Sequence, residues 1–212
     1  MMKTFSPDNY STVIFDLGQV IVDLDPKAVI EGLQRAGGLQ DVDYRELIVS
    51  SPLLQLYETG KISEYQFRQG LLELLQIDLS DEAFDSIWNA MLGDIPLRRL
   101  NFMKQLGEDY KTMILSNTNG IHERKFDEMV GEVAGGSLMK DFVHHAYYSH
   151  DVGFRKPDPE IYQFVIDHGQ LEPARTLFLD DRLDNVEAAR VEGIHAVKVE
   201  FPDQIFEILA YD

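Results

Sequence analysis

Cysteine is absent from this chain of 212 residues, so disulfides, thiolate metal sites and a cysteine nucleophile are excluded. Long hydrophobic runs are absent too: nothing approaches the roughly 20 apolar residues that span a bilayer. The amino-terminal MMKTFSPDNY lacks the apolar stretch of a secretory leader. These absences lead us to expect a cytoplasmic protein with no membrane partner. Basic residues are scarce, with 19 Lys and Arg against 37 Asp and Glu, for a net charge of −18. Such a surface repels nucleic acid and argues against general polyanion binding. A phosphorylated ligand would need a local patch of positive charge. Internal repeats and low-complexity segments are also missing.

What remains has the composition of a packed globular protein, 44% hydrophobic and 26% charged. The length suits a main domain with a smaller insertion. Thr12–Phe15, Thr112–Leu115, Thr176–Leu179 and Ala196–Val199 read as buried strands. Segments of helical period alternate with them. Pro96 opens one helix and Gly107 follows its end; Asp158-Pro159 opens another with Gly169 beyond it; Gly193 closes a helix that begins near Leu183. Such alternation predicts an α/β fold, a Rossmann-like, doubly wound parallel sheet covered on both faces.

The rhythm breaks from about Pro26 to Leu92, where the pattern is helical throughout. Asp25-Pro26 reads as a helix start, Gly37-Gly38 as its stop, and Ser63 and Gln66 have capping-box spacing. The expected division is residues 1–22 and 93–212 as the catalytic core, and 23–92 as a helical cap inserted after the first strand. An insertion there sits above the carboxyl end of that strand, where open α/β sheets bind ligands. Trp88, Phe84, Phe67 and Tyr57 are expected to pack between its helices.

Three apolar runs end in reactive residues: Val13-Ile14-Phe15 in Asp16, Met113-Ile114-Leu115 in Ser116-Asn117-Thr118-Asn119, and Leu177-Phe178-Leu179 in Asp180-Asp181. On parallel neighbouring strands these would converge at one sheet edge. Arg155-Lys156-Pro157 supplies positive charge between the second and third. Clustered carboxylates repel and their pKa values rise unless a cation neutralises them. An all-oxygen donor set suits Mg²⁺, which takes one or two carboxylates and substrate phosphate. One carboxylate can then act as nucleophile, because aspartyl-phosphate formation is an established covalent route. Ser116 and neighbouring backbone N–H groups suit phosphoryl oxygens.

FDLGQVIVD resembles the first motif of the haloacid dehalogenase-like superfamily, LSNTN the second, RKPDPEIY the lysine-bearing third and FLDDRLDNVEAARVEGI the acidic fourth. The order matches, and the motifs together reach from residue 12 to about residue 194. The resemblance implies a Rossmann-like core with a helical cap, and it implies roles. Asp16 would be nucleophile and Mg²⁺ ligand, the Gly18 carbonyl a second ligand and Asp181 a third. Asp180 would act directly or through a metal-bound water. Ser116 and Lys156 would bind the phosphoryl group, with Asn117 helping. The DLG-x-V-I-V-D, LSNTN, G-x-RKP and DD-x-x-DN segments, with the run Tyr57–Ser63, are similar to bacterial α-D-glucose-1-phosphate phosphatases. The implied partner is a small phosphorylated metabolite.

One position departs from the pattern. Most phosphatases of this superfamily carry a second aspartate, two residues after the nucleophile, that protonates the leaving oxygen. Here that position is Gly18, and general acid–base catalysis typically contributes ~10²–10⁴-fold. Three readings stay open: a phosphatase for a substrate with a good leaving group, a 2-haloacid dehalogenase-type hydrolase, or a phosphosugar-binding relative with little turnover. Asp25 reads as the cap of the helix opened by Pro26, and neither it nor Asp23 as the missing acid. Asp184 and Asn185 suit either orientation of the metal ligands or capping of the next helix. His144-His145 and His150-Asp151 read as structural.

Overall fold

The computed structural model describes residues 9–40 and 42–209. Residues 1–8, most of the segment read above for a leader, lie outside the described residues, as do residue 41 of the expected cap and residues 210–212 of the expected core.

Five parallel strands form one sheet: β1 (Thr12–Phe15), β2 (Lys111–Ser116), β3 (His145–Tyr148), β4 (Thr176–Asp180) and β5 (His195–Lys198), in the order β3-β2-β1-β4-β5. The edge strand β3 has no counterpart among the four strands read from the sequence. Its first residue is exposed and only Tyr147 and Tyr148 are buried, so no apolar run marks it. In the three inner strands successive residues serve opposite faces. Val13, Phe15, Ile114, Leu177 and Leu179 pack on one side with Leu100, Met103, Phe126 and Ile205. Ile14, Met113, Leu115 and Phe178 pack on the other with Ile161, Val165, Val186 and Ala189. Both faces are covered, which is why these strands read as continuous apolar runs. The fold is a Rossmann-like α/β core.

Between β1 and β2 the chain forms five helices and then a sixth. These are α1 (Pro26–Arg35), α2 (Tyr44–Ser50), α3 (Pro52–Glu58), α4 (Glu64–Leu75), α5 (Asp81–Asn89) and α6 (Leu97–Leu106). Their starts follow local chemistry. The Asp25 carboxylate accepts from the Lys27 N–H with Pro26 in the first turn. Ser63 and Gln66 cap α4 reciprocally. Helices α1–α5 enclose a second apolar centre in which Tyr57 stacks on Phe67 at 4.3 Å and Phe67 meets Trp88 edge-on at 5.0 Å. One buried residue from the sheet side joins it, Ile121.

The chain leaves and re-enters the core side by side. Asp23 N–H donates to the Asp94 carbonyl (3.0 Å), Gly93 N–H to Asp23 (2.7 Å) and Asp25 N–H to Met91 (2.8 Å). Gly93 is required here, since a Cβ would lie 2.9 Å from the Asp23 carbonyl oxygen. Arg99, almost wholly buried, clamps this neck by donating to Asp23 Oδ1 (2.7 Å) and the Ile21 carbonyl (3.2 Å).

After β2 come α7 (Gly120–Val133), α8 (Ser149–Val152), α9 (Pro159–Gly169), α10 (Leu183–Val191) and α11 (Gln204–Ile208). Gly169 is the last helical residue of α9 rather than its stop, and Gln170 takes the left-handed cap position at φ 51°.

Candidate active site

Because β1 lies between β2 and β4, their carboxyl ends are adjacent and deliver Asp16, Ser116 and Asp180 to one edge. Asp16 N–H extends the ladder by donating to the Leu179 carbonyl at 2.9 Å, which fixes the carboxylate above the sheet. The loop before α9 brings Lys156 beneath it. Lys156 is 1% exposed, and its Nζ lies 2.8 Å from Asp16 Oδ1, 2.7 Å from Asp180 Oδ2 and 2.8 Å from the Leu115 carbonyl. All three ammonium protons therefore have acceptors, as a buried cation requires.

The electrostatics follow from burial. Desolvation pushes the Asp16 carboxyl upward, Lys156 pulls it down, Asp180 pushes it up again, and the result is about 7. Burial would lower the Lys156 pKa, yet Asp16 and Asp180 carry it above the usual lysine value. Asp181 is raised by burial and then by Asp180. Carboxylate oxygens of Asp16, Asp180 and Asp181 lie within 4.8 Å of one another. The cluster is an anionic nest with one resident cation and space in its chemistry for a second.

The three aspartates are not equivalent. Asp180 is saturated: Oδ1 accepts from Arg182 N–H (2.8 Å) and Asn185 Nδ2 (3.0 Å), while Oδ2 accepts from Lys156 Nζ and Asn185 Nδ2 (3.0 Å). Asn185 is held in turn, its carbonyl accepting from Tyr162 Oη at 2.9 Å. Asn185 thus orients Asp180, while Asp184 pairs with Arg182 at the surface (2.5 Å); neither side chain caps α10 from its N-cap position.

The second loop is fixed in the same way. The Asn117 amide grips the backbone of Lys156 from both sides, donating to its carbonyl and accepting from its N–H at 2.8 Å each. Ser116 is buried beside it. Ser149 Oγ accepts from Thr118 N–H at 3.0 Å and donates to the Thr118 carbonyl at 3.1 Å. Asn119 caps α7 by accepting from His122 N–H at 3.1 Å.

Above these residues a cavity of about 660 Å³ opens between core and helices. Gly18, Ser116 and Asn117 line its floor; Val29, Ile48, Glu58 and Trp88 line its far side. Gly18 presents no side chain, and the volume a Cβ would enter is filled by Leu24 Cδ1 at 2.7 Å. Asp23 is paired with Arg99 and Asp25 caps α1, so neither faces the reaction. His150 bonds to Glu123 at 2.9 Å, and His144 Nδ1 lies 3.1 Å from Thr112 N. The sequence marks Glu58 only as part of the Tyr57–Ser63 run. Its position on the cavity wall depends on how α3 docks, which no local pattern encodes.

A buried lysine joining two carboxylates beside a third, next to an open cavity, defines a hydrolytic centre built on carboxylate chemistry. The family described as haloacid dehalogenase-like hydrolase matches residues 10–193, and the chain belongs to that family. A D-ribitol-5-phosphate phosphatase from Bacteroides thetaiotaomicron is 30% identical over 191 residues, covering 89% of this chain and 91% of that protein. A crystal structure of a HAD family enzyme from the same organism, in complex with magnesium and inorganic phosphate, is 31% identical, with a TM-score of 0.78 over 89% of this chain and 93% of that one. The structure of a predicted HAD-like hydrolase from Porphyromonas gingivalis is 25% identical, with a TM-score of 0.83 over 93% and 94%. Among the described residues, no helix is long and apolar enough to cross a membrane.

Proposed function

We propose that this hydrolase is a Mg²⁺-dependent phosphatase of a small phosphorylated metabolite, with Asp16 as the covalent nucleophile. The observation that carries this reading is the placement of Lys156 Nζ between Asp16 and Asp180, with Asp181 completing an all-oxygen cluster. Those donors fit a hard divalent ion. Asp16, Asp181 and the backbone carbonyl of Gly18 would hold it. Asp180, with its oxygens already bonded, orients Lys156 and acts toward the ion through water. The bound Mg²⁺ supplies charge neutralisation for an incoming phosphate dianion.

The protein's own groups do the rest. Lys156 pulls the Asp16 pKa down against burial, and it would exchange its bond to Asp16 for a charge-assisted bond to a phosphoryl oxygen when substrate binds. Ser116 holds a second oxygen. Asn117 acts by positioning the Lys156 backbone. Asp16 Oδ attacks phosphorus as the bond to the leaving oxygen breaks, and water then hydrolyses the aspartyl-phosphate. Residues 23–92 act as a cap that excludes bulk water and selects the leaving group, attached to a core of residues 1–22 and 93–212. Substrates in this reading are sugar or polyol phosphates, supported by the resemblance to glucose-1-phosphate phosphatases and the relative that acts on ribitol 5-phosphate. In this reading the enzyme acts in the cytoplasm, on metabolites that their phosphate charge retains there.

A haloacid dehalogenase expels halide from a carboxylate substrate without metal, and three clustered aspartates would repel that substrate. Phosphate release from a panel including glucose 1-phosphate and ribitol 5-phosphate, with and without EDTA and beside 2-chloropropionate, tests the reading. Chelator-sensitive phosphate release is expected. Halide release that survives EDTA would establish the dehalogenase, and phosphosugar binding without turnover would establish the binding relative.

A further inference from the structure

The proton that Gly18 cannot supply needs a donor on the leaving-group side of phosphorus. In a displacement at phosphorus the attacking and leaving oxygens stand roughly in line. With Asp16 on the core side, the leaving oxygen therefore points across the cavity toward the helices. The carboxylates and the imidazole that line this cavity are Glu31, Asp43, Glu58 and His122. Glu31 is exposed and lies 3.6 Å from Arg35. Asp43 is exposed and caps α2, accepting from Glu46 N–H at 3.0 Å. His122 has both ring nitrogens occupied, by the Asn119 amide and the Trp88 carbonyl at 3.1 Å each. Glu58 differs from all of these.

Glu58 ends α3, lines the same cavity as Gly18, Ser116 and Asn117, and its side chain is 14% exposed. Its Oε2 stands 3.1 Å from Arg155 Nη2 but receives no aligned hydrogen bond. We infer that Glu58 is the proton-transfer residue of this phosphatase, donated by the cap in place of the aspartate absent at position 18. This rests on the phosphatase reading above. In the first step the Glu58 carboxyl gives its proton to the leaving oxygen as the P–O bond breaks, releasing the alcohol and leaving Glu58 as carboxylate. In the second, that carboxylate takes a proton from the water attacking the aspartyl-phosphate. Inorganic phosphate leaves, and both Asp16 and Glu58 return to their starting states.

The surroundings permit this cycle. Burial raises the Glu58 pKa above the usual carboxylate range, while Arg155, Arg182 and Lys156 oppose that rise, and an upward shift is the direction a proton donor needs. Arg155 precedes Lys156 in the chain, so the pair that holds Glu58 belongs to the loop that holds the nucleophile. Proton transfer is thereby tied to a docked cap.

The test compares leaving groups. In Glu58→Gln, turnover of alkyl phosphates such as glucose 1-phosphate and ribitol 5-phosphate should fall about 10²-fold or more. The rapid first-turnover release of p-nitrophenol from p-nitrophenyl phosphate, which needs no acid, should stay within about threefold and become a visible burst as the phosphoenzyme accumulates. Equal losses for both substrates, or no loss for either, would overturn the assignment. A measurement on the unaltered protein guards against a misfolded variant: kcat/KM should depend only shallowly on leaving-group pKa, and a steep dependence would refute acid assistance. If the unaltered protein releases phosphate from no phosphomonoester in Mg²⁺, the phosphatase reading itself fails, an outcome distinct from an active Glu58→Gln enzyme with unchanged leaving-group preference.

Discussion

The edge of the sheet and the helices above it bury their residues for opposite purposes. At the edge, burial is spent on charge: Lys156, Asp16 and Asp180 lose water and recover it as bonds to one another, to Asn185 and to backbone. Among α1–α5 burial is mostly apolar, with Tyr57, Phe67, Phe84 and Trp88 interlocked. The buried arginine there, Arg68, is held bidentately by Asp85 at 2.7 Å. A charge network tolerates little change because each member leaves another unpaired. An apolar cluster tolerates substitution provided volume is kept. In the proposed function, chemistry is thus fixed in one region and selectivity left adjustable in the other.

The sharpest break in that contrast is Asp16→Asn. Turnover should fall by about 10³-fold or more while the far-UV spectrum is unchanged. In metal-free protein the same variant should melt above the wild type at pH 8. The Asp16 pKa is raised from 3.8 to about 7 on folding, so its contribution to stability is complete below pH 3.8 and lost as pH rises through 7. The gap in Tm should therefore close as pH falls toward 4.

Next in size, Lys156→Met strands two buried carboxylates and should cost about 3–5 kcal/mol in urea unfolding, together with activity. Phe67→Ala should cost a similar ~3–5 kcal/mol yet keep measurable p-nitrophenyl phosphate turnover. If both variants lose activity alike, the division between the two regions is false.

A smaller effect is expected from acid. Burial holds the His122 pKa near 4, against an ordinary 6.5, so its share of stability is present above pH 6.5 and lost as pH falls through 4. His122 stacks 5.5 Å from Trp88, the single tryptophan. Trp88 emission should therefore shift in that interval before global unfolding. A transition centred near pH 6.5 rather than near 4 would refute a neutral, buried imidazole.

The smallest change should be Arg124→Ala. Arg124 reaches from α7 to Glu64 of α4 at 2.5 and 2.9 Å, but it is largely exposed, so stability should move by only ~0–1 kcal/mol. KM should respond more than Tm, because this pair ties α4 to α7, whose residues His122 and Phe126 line the cavity.

Much of this was legible in the sequence because it is local. Inner strands announce themselves as apolar runs, and Asp25, Ser63 and Gln66 mark helix starts through contacts within a turn. The gathering of Asp16, Ser116, Lys156, Asp180 and Asp181 follows from strand order, which parallel topology constrains. The roles assigned to those residues remain proposals for the experiments above. What stayed illegible depends on distant surfaces meeting. β3 is half covered and lacks a run. The sequence suits Asn185 to two uses, and only the fold shows its amide under Asp180. Leu24 filling the space beside Gly18, and Glu58 facing the same cavity, both require the helices to be docked.

The neck at Asp23–Asp25 and Met91–Asp94 has one more consequence. Two chain segments hydrogen-bonded side by side behave mechanically as a single strap, so the helices beyond can tilt as a unit without disturbing sheet register. Everything between the two segments, α1 to α5, is also one contiguous stretch of chain, so a single replacement could exchange it while the carboxylates stay on their strand ends.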